Sequence, residues 1–125
     1  MASILVIDDE VRIQEFIQIV LEEAGHEVRC AGDGVAGLKA QRQRPADLIL
    51  CDLFMPEKEG LETIRELHRD FPQVKVIVIS GGNPRDGRMD FLPLAKKFGA
   101  VAALPKPFLP AELTNKVEEV LRGGE

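Results

Sequence analysis

Leu48-Ile49-Leu50-Cys51-Asp52 sets four apolar residues in a row and closes them with a carboxylate. Successive strand residues point to opposite faces, so a run that is apolar at every position suits a central strand of a parallel sheet covered on both sides. Similar runs occur elsewhere in the chain. Ser3-Ile-Leu-Val-Ile7 leads into Asp8 and Asp9, Val74-Lys-Val-Ile-Val-Ile79 into Ser80, and the stretch from Val101 to Leu104 into Lys106. If these strands lie side by side, their ends gather three carboxylates, a hydroxyl and an ammonium into one small patch.

The segments between the strands carry helical periodicity. Ile13, Phe16, Ile17, Val20, Leu21 and Ala24 form an inward face, with Arg12, Gln14, Glu15, Gln18, Glu22 and Glu23 opposite, and Gly25 supplies a left-handed cap. Glu27 to Ala31 reads as a strand, and Gly32-Asp-Gly34 turns into a helix that runs to about Arg44 before Pro45. Leu61, Ile64, Leu67 and Phe71 mark a third helix starting near Gly60, with Pro72 at its end. Gly81 to Gly87 is rich in turn residues. A fourth helix is expected from about Asp90 to Phe98, with Pro93 in its first turn, and a fifth opens at Pro110 and turns Leu113, Val117, Val120 and Leu121 inward. Strand and helix alternate five times, which predicts an α/β fold of three layers, a parallel sheet between two layers of helices. In such sheets the site forms beyond the carboxyl ends of the strands, and that rim holds Asp8, Asp9, Asp52, Ser80 and Lys106.

Composition narrows the function classes. The 125 residues fit a single domain spanning 1–125, with 45% hydrophobic and 30% charged residues, as in an ordinary globule. The net charge is −5, from 21 acids against 16 bases, and no run of Lys and Arg could track a phosphate backbone. Direct nucleic acid binding is not expected. The apolar run at the amino end is too short for an export signal or a membrane span, so a cytoplasmic location with no membrane partner is expected. Cys30 and Cys51 form no CxxC pair and read as small buried hydrophobes, while His26 and His68 read as solvated, on a turn and on an outward helix face.

Carboxylates held this close repel each other unless one gains a proton or a divalent cation joins them. Hard oxygen ligands suit Mg²⁺, and Asp9, Asp52 and the backbone carbonyl of Phe54 would leave positions for water and a phosphoryl oxygen. Phosphoryl transfer needs an in-line nucleophile and neutralisation of the charge on the equatorial oxygens. Asp52, at the end of the central strand, is the candidate phosphoacceptor. Lys106 and the Ser80 hydroxyl would each hold an oxygen.

Ile4-Leu-Val-Ile-Asp-Asp-Glu10, Asp52-Leu-Phe-Met-Pro56 followed by Gly60, Ile77-Val-Ile-Ser-Gly81, and Leu104-Pro-Lys-Pro-Phe108 resemble the receiver domain of bacterial response regulators over essentially the whole chain. The resemblance implies a flavodoxin-like (βα)5 fold with strand order 2-1-3-4-5. It also implies a signalling module of a two-component system, not an enzyme with an external product, and the chain reads as a stand-alone receiver. Asp52 would accept a phosphoryl group from a histidine kinase or a histidine phosphotransfer protein, Asp9 would bind Mg²⁺ directly, and Asp8 would act through water or the outer shell. Ser80 and Lys106 would sense the product. A downstream protein would be met on the face of the fourth helix, fifth strand and fifth helix.

Two departures from the family pattern bear on this. Ala103 stands three positions before the lysine, where receivers commonly carry an aromatic switch, so coupling is expected through Ser80 and the loop from Gly81 to Arg88, or through the fourth helix. Leu109 replaces the usual acidic cap before Pro110, which leaves Leu109 and Phe108, with Phe91 or Leu92, in a partner patch or in the core. Two other readings compete with the receiver. Gly32, Gly34 and Gly37 match a dinucleotide fingerprint, but after the second strand and with Asp33 where a pyrophosphate would approach. A Mg²⁺-dependent phosphatase with an aspartate nucleophile would need an Asp-x-Asp pair, which is absent.

Overall fold

The computed structural model describes residues 2–53, 60–80 and 92–123. Within them strand and helix alternate as β1 (Ser3–Ile7), α1 (Val11–Glu23), β2 (Glu27–Ala31), α2 (Gly34–Gln43), β3 (Leu48–Asp52), α3 (Gly60–Asp70), β4 (Lys75–Ser80), α4 (Leu92–Phe98), β5 (Ala102–Pro105) and α5 (Pro110–Leu121). The five strands form one parallel sheet in the order β2-β1-β3-β4-β5. This is the flavodoxin-like arrangement, with β3 at the centre and buried at every position.

Period-two alternation splits the interior into two cores. Ile4, Val6, Leu48, Leu50, Ile77, Ile79, Ala102 and Leu104 face α1 and α5 and pack on Ile17, Leu21, Leu113, Val117 and Val120. Leu5, Ile7, Ile49, Cys51, Val76 and Val78 face the other way and pack on Leu38, Ile64, Leu67 and Ala95. Each strand residue therefore has one fixed layer, and slipping any strand by one residue would exchange the two sets.

Local chemistry closes the elements. Gly25 takes φ 96° after α1, and its N–H and that of His26 donate to the carbonyls of Glu22 and Leu21. Asp33 caps α2 by accepting the N–H of Ala36 at 2.8 Å. Gly37 lets α2 lie on β1, since a Cβ there would run into Ile7 Cδ1 and come within 2.7 Å of Ile7 Cγ1. Gly37 thus has a packing role, and the helix N-terminus that a pyrophosphate would need already holds Asp33. At the other end of the sheet, Lys75 Nζ donates to the Val120 carbonyl at 3.0 Å, placing a cation at the C-terminus of α5.

Several expectations are corrected. His26 is buried rather than solvated, because the turn after α1 folds it over the start of β1, where Nδ1 accepts the N–H of Ala2 at 3.1 Å. Ala24 is exposed, since it sits past the last turn of α1. Cys51 is buried as expected, whereas Cys30 is only half-buried on edge strand β2. Gln14 leaves the outer face of α1 and turns toward the rim of the sheet. β4 begins at Lys75 and includes Ser80. α4 is described from Leu92, so Asp90 and Phe91 lie outside the described residues, as do Phe54, Met55 and the loop from Gly81 to Arg88.

Burial lowers the pKa of His26 below its ordinary value of 6.5, and Glu118 offsets only part of this. The neutral ring is the form that accepts from Ala2, so His26 contributes its full stability above pH 6.5 and loses it as pH falls toward the lower folded-state pKa. The thermal midpoint should fall as pH drops below 6.5. His26→Asn, which keeps an acceptor but cannot titrate, should flatten that slope; parallel slopes for the two proteins would remove His26 as the cause.

Candidate functional site

The sheet register sets the site. Ile7 pairs with Cys51, so Asp8, the next residue after β1, stands level with Asp52 at the end of β3. Asp52 pairs with Ile79, and Ser80 pairs with Pro105, which brings Lys106 one residue beyond the end of β5. The expected residues from β1, β3 and β5 therefore meet at the carboxyl rim, and Ser80 closes β4 on the same rim.

Carboxylate oxygens of Asp8, Asp9 and Asp52 all lie within 4.8 Å of one another. Two unit charges at about that separation repel by about 3.5 kcal/mol at an effective dielectric near 20. Asp8 is fully buried and Asp52 is 4% exposed, while Asp9 faces solvent. Lys106 supplies the compensating charge. Its Nζ is 2.9 Å from Asp8 Oδ2, 3.7 Å from Asp52 Oδ2 and 3.4 Å from Glu10 Oε1. Burial pulls the pKa of Lys106 down, but Asp8, Asp52 and Glu10 outweigh it and hold the ammonium above the ordinary lysine value.

Asp8 is held on both oxygens. Oδ1 accepts the N–H of Glu10 at 2.8 Å, and Oδ2 faces Lys106 without a hydrogen bond of regular geometry. A buried carboxylate oxygen in that state, beside two further carboxylates, is a donor set that fits a hard cation. The neighbouring thiol does not join it. Burial, with Asp52 and Asp8 nearby, pushes the Cys51 thiol far above its usual value, so the sulfur stays protonated and unfit as a soft-metal ligand. The acidic cluster can thus hold a metal ion through carboxylate oxygens.

Glu10 and Gln14 complete the site; the sequence marks Glu10 only as the end of its first motif and places Gln14 on the outer face of α1. Glu10 reaches Lys106 from the solvent side, and the Gln14 side chain donates to the Asp8 carbonyl at 2.6 Å. Phe54, whose carbonyl was expected as a ligand, lies outside the described residues.

The family model of the response regulator receiver domain matches residues 4–118. The chain belongs to the response regulator receiver family. Among receiver-containing relatives, it is 32% identical over 123 residues to the alkaline phosphatase synthesis transcriptional regulatory protein PhoP of Bacillus subtilis, covering 98% of this chain and 50% of that protein. It is 34% identical over 122 residues to the phosphate regulon transcriptional regulatory protein PhoB of Pseudomonas aeruginosa, covering 96% of this chain and 52% of that one. Among solved structures, NtrX from Brucella abortus superimposes with a TM-score of 0.88 at 31% identity, over 98% of this chain and 27% of that one. The chemotaxis protein CheY4 of Vibrio cholerae gives 0.85 at 26% identity, over 96% of this chain and 98% of that one. This receiver therefore spans about half the length of PhoP and PhoB but nearly all of CheY4. No helix among its described residues is long and apolar enough to cross a membrane.

Gly60 protects the central strand end of the receiver. Its N–H donates to the Leu53 carbonyl at 2.9 Å, and a Cβ on it would strike the Asp52 carbonyl oxygen and come within 2.5 Å of Leu53 Cα. These are backbone atoms and cannot swing aside. Gly60→Ala should cost about 3 kcal/mol in urea unfolding and weaken divalent-cation binding, because Asp52 must shift; a variant matching the parent in both would show that the strand end tolerates the methyl.

Proposed function

We propose that this receiver is a phosphorylation-controlled signalling module in which Asp52 accepts a phosphoryl group from a phosphohistidine, carried by a histidine kinase or a histidine phosphotransfer protein. The observation that carries the proposal is the placing of the Lys106 ammonium 2.9 Å from Asp8 and 3.7 Å from Asp52, inside a cluster of three carboxylates. A lone buried aspartate could be structural. An aspartate beside a fixed cation and a cation-binding acidic pair has the parts that phosphoryl transfer requires.

Asp9 and Asp52, with the Phe54 carbonyl, would hold Mg²⁺, and Asp8 would act through water or the outer shell. The bound ion supplies charge neutralisation on a phosphoryl oxygen. An Asp52 carboxylate oxygen attacks phosphorus in line, forming an O–P bond as the P–N bond to the donor imidazole breaks and its electron pair returns to the ring nitrogen. Lys106 neutralises a second phosphoryl oxygen, and the Ser80 hydroxyl is the proposed donor to a third. The acceptor chain turns over no external product, apart from hydrolysis of its own acyl phosphate. Two free thiols accord with a cytoplasmic setting.

The new dianionic group draws on Lys106 and Ser80, and the altered charge is read by a downstream protein at the α4, β5 and α5 face. Ala103 provides no ring to turn, so that response rests on Ser80, the loop after it and α4.

The wild-type chain with acetyl phosphate and Mg²⁺ should gain one acid- and base-labile phosphoryl group, read by intact mass. Asp52→Asn should gain none. Lys106→Ala should keep partial labelling yet lose the amide shifts over α4, β5 and α5 that accompany it. Labelling retained in Asp52→Asn would refute the acceptor assignment, and continuous release of phosphate from added monoesters would favour a phosphatase.

A further inference from the structure

We infer that Gln14 is a positioning residue that fixes the direction of Asp9, an inference that rests on the metal-binding reading given above. Gln14 lies in the second turn of α1, and its Nε2 donates to the Asp8 carbonyl oxygen at 2.6 Å and, more weakly, to that of Ala31 at 3.4 Å. Its backbone N–H donates to the Glu10 carbonyl at 3.1 Å. One residue of α1 therefore grips both ends of the turn that carries Asp8, Asp9 and Glu10.

Asp8 stands one residue past the end of β1 and is fully buried, and its carbonyl has no backbone partner among the described residues. A buried carbonyl without a donor is unfavourable, so the Gln14 amide answers a need of the backbone. That carbonyl shares a rigid plane with the N–H of Asp9. A donor held on the oxygen fixes the plane, and the plane fixes where the Asp9 Cα stands.

The Asp8 carboxylate has anchors of its own in the Glu10 N–H and Lys106. Asp9 has none: its side chain is exposed and, among the described residues, makes no hydrogen bond or ion pair. Its approach to Asp8 and Asp52 is thus set by the backbone, where the Asp8 N–H donates to the Ala31 carbonyl at 3.0 Å, the Glu10 N–H to Asp8 Oδ1, and Gln14 alone holds the Asp8 carbonyl that leads into Asp9. Without the amide, the Asp8–Asp9 peptide can turn its carbonyl toward water, which carries Asp9 away from Asp52.

Gln14→Met keeps the length and the apolar stem but removes the donor. The folded variant, checked by its thermal midpoint, should bind Mg²⁺ about tenfold more weakly than wild type by calorimetry. In the metal-free protein the Glu10 amide should exchange faster, a local change that general loss of stability would not confine to that turn. Gln14→Glu keeps the shape and adds a negative charge, which by charge alone would tighten Mg²⁺; weaker binding there separates direction from charge. Gln18→Met is the control on the same helix, since among the described residues its amide bonds only Glu22, at 3.1 Å, and it should bind as wild type does. Affinity equal to or above wild type in either folded Gln14 variant overturns the inference, and if Gln14→Met fails to fold, Gln14→Glu decides alone. Wild-type protein that takes up no Mg²⁺ overturns the metal-binding reading itself, and the inference with it.

Discussion

The structure depends on one ammonium placed among buried carboxylates. Asp8 and Asp52 end adjacent strands near the middle of the sheet, where water reaches neither well, and each would meet a high desolvation cost as an anion without a partner. Lys106 reaches both from β5, two strands away from β3. The contact therefore ties the last strand to the first and third across the rim, and it exists only if all the strands between are in register. A charge arrangement that looks local is in fact a condition on the whole sheet.

That condition explains the severity of the packing around it. Parallel order with helices on both faces leaves each strand residue a single permitted layer, and the two cores divide β1, β3 and β4 strictly by parity. Close approach matters as much as parity. Gly37 brings α2 against Ile7, immediately before Asp8, and Gly60 brings the start of α3 against the carbonyl of Asp52. Both glycines lie directly behind residues of the acidic cluster, where an added methyl would be transmitted to a carboxylate rather than absorbed at a surface. The same frame makes the protonation states unequal, with a reinforced Lys106 ammonium and a buried Cys51 thiol kept neutral near Asp52 and Asp8.

Much of this was legible in the sequence because parallel strands write themselves as unbroken apolar runs, and their ends as abrupt changes to Asp, Ser or Lys. The meeting of Asp8, Asp9, Asp52 and Lys106 followed from placing those ends on one rim. The residues that escaped were those whose partners lie far away or on the backbone. His26 is a polar residue after a helix-ending glycine, and nothing in its neighbours announces that Ala2, 24 positions away, will donate to it. Gln14 sits among charged and polar residues on a periodic helix, which assigns it to water; its real partner is a carbonyl oxygen, a group every residue has and no sequence marks. Phe108 and Leu109 stood together as an ambiguous apolar pair. The structure divides them, packing Phe108 in a tilted arrangement against Phe16 with ring centroids 5.9 Å apart and leaving Leu109 66% exposed at the start of α5, where Glu112 accepts its N–H.

The surroundings of Lys106 constrain how charge at the rim can be felt elsewhere. Pro105 and Pro107 flank it, so its neighbours on both sides have φ held near one value. Phe108 is buried on Phe16 and anchors the segment to α1. The backbone carrying the lysine is thus restrained on both sides, so the freedom of the ammonium among Asp8, Glu10 and Asp52 lies in its own side-chain torsions. Ala103, paired with Val78 two residues before the rim, adds no large side chain that could follow such a turn. Among the described residues, the rim thus joins a proline-restrained β5 end that carries Lys106 to a β4 end without proline, where Ser80 pairs with Pro105.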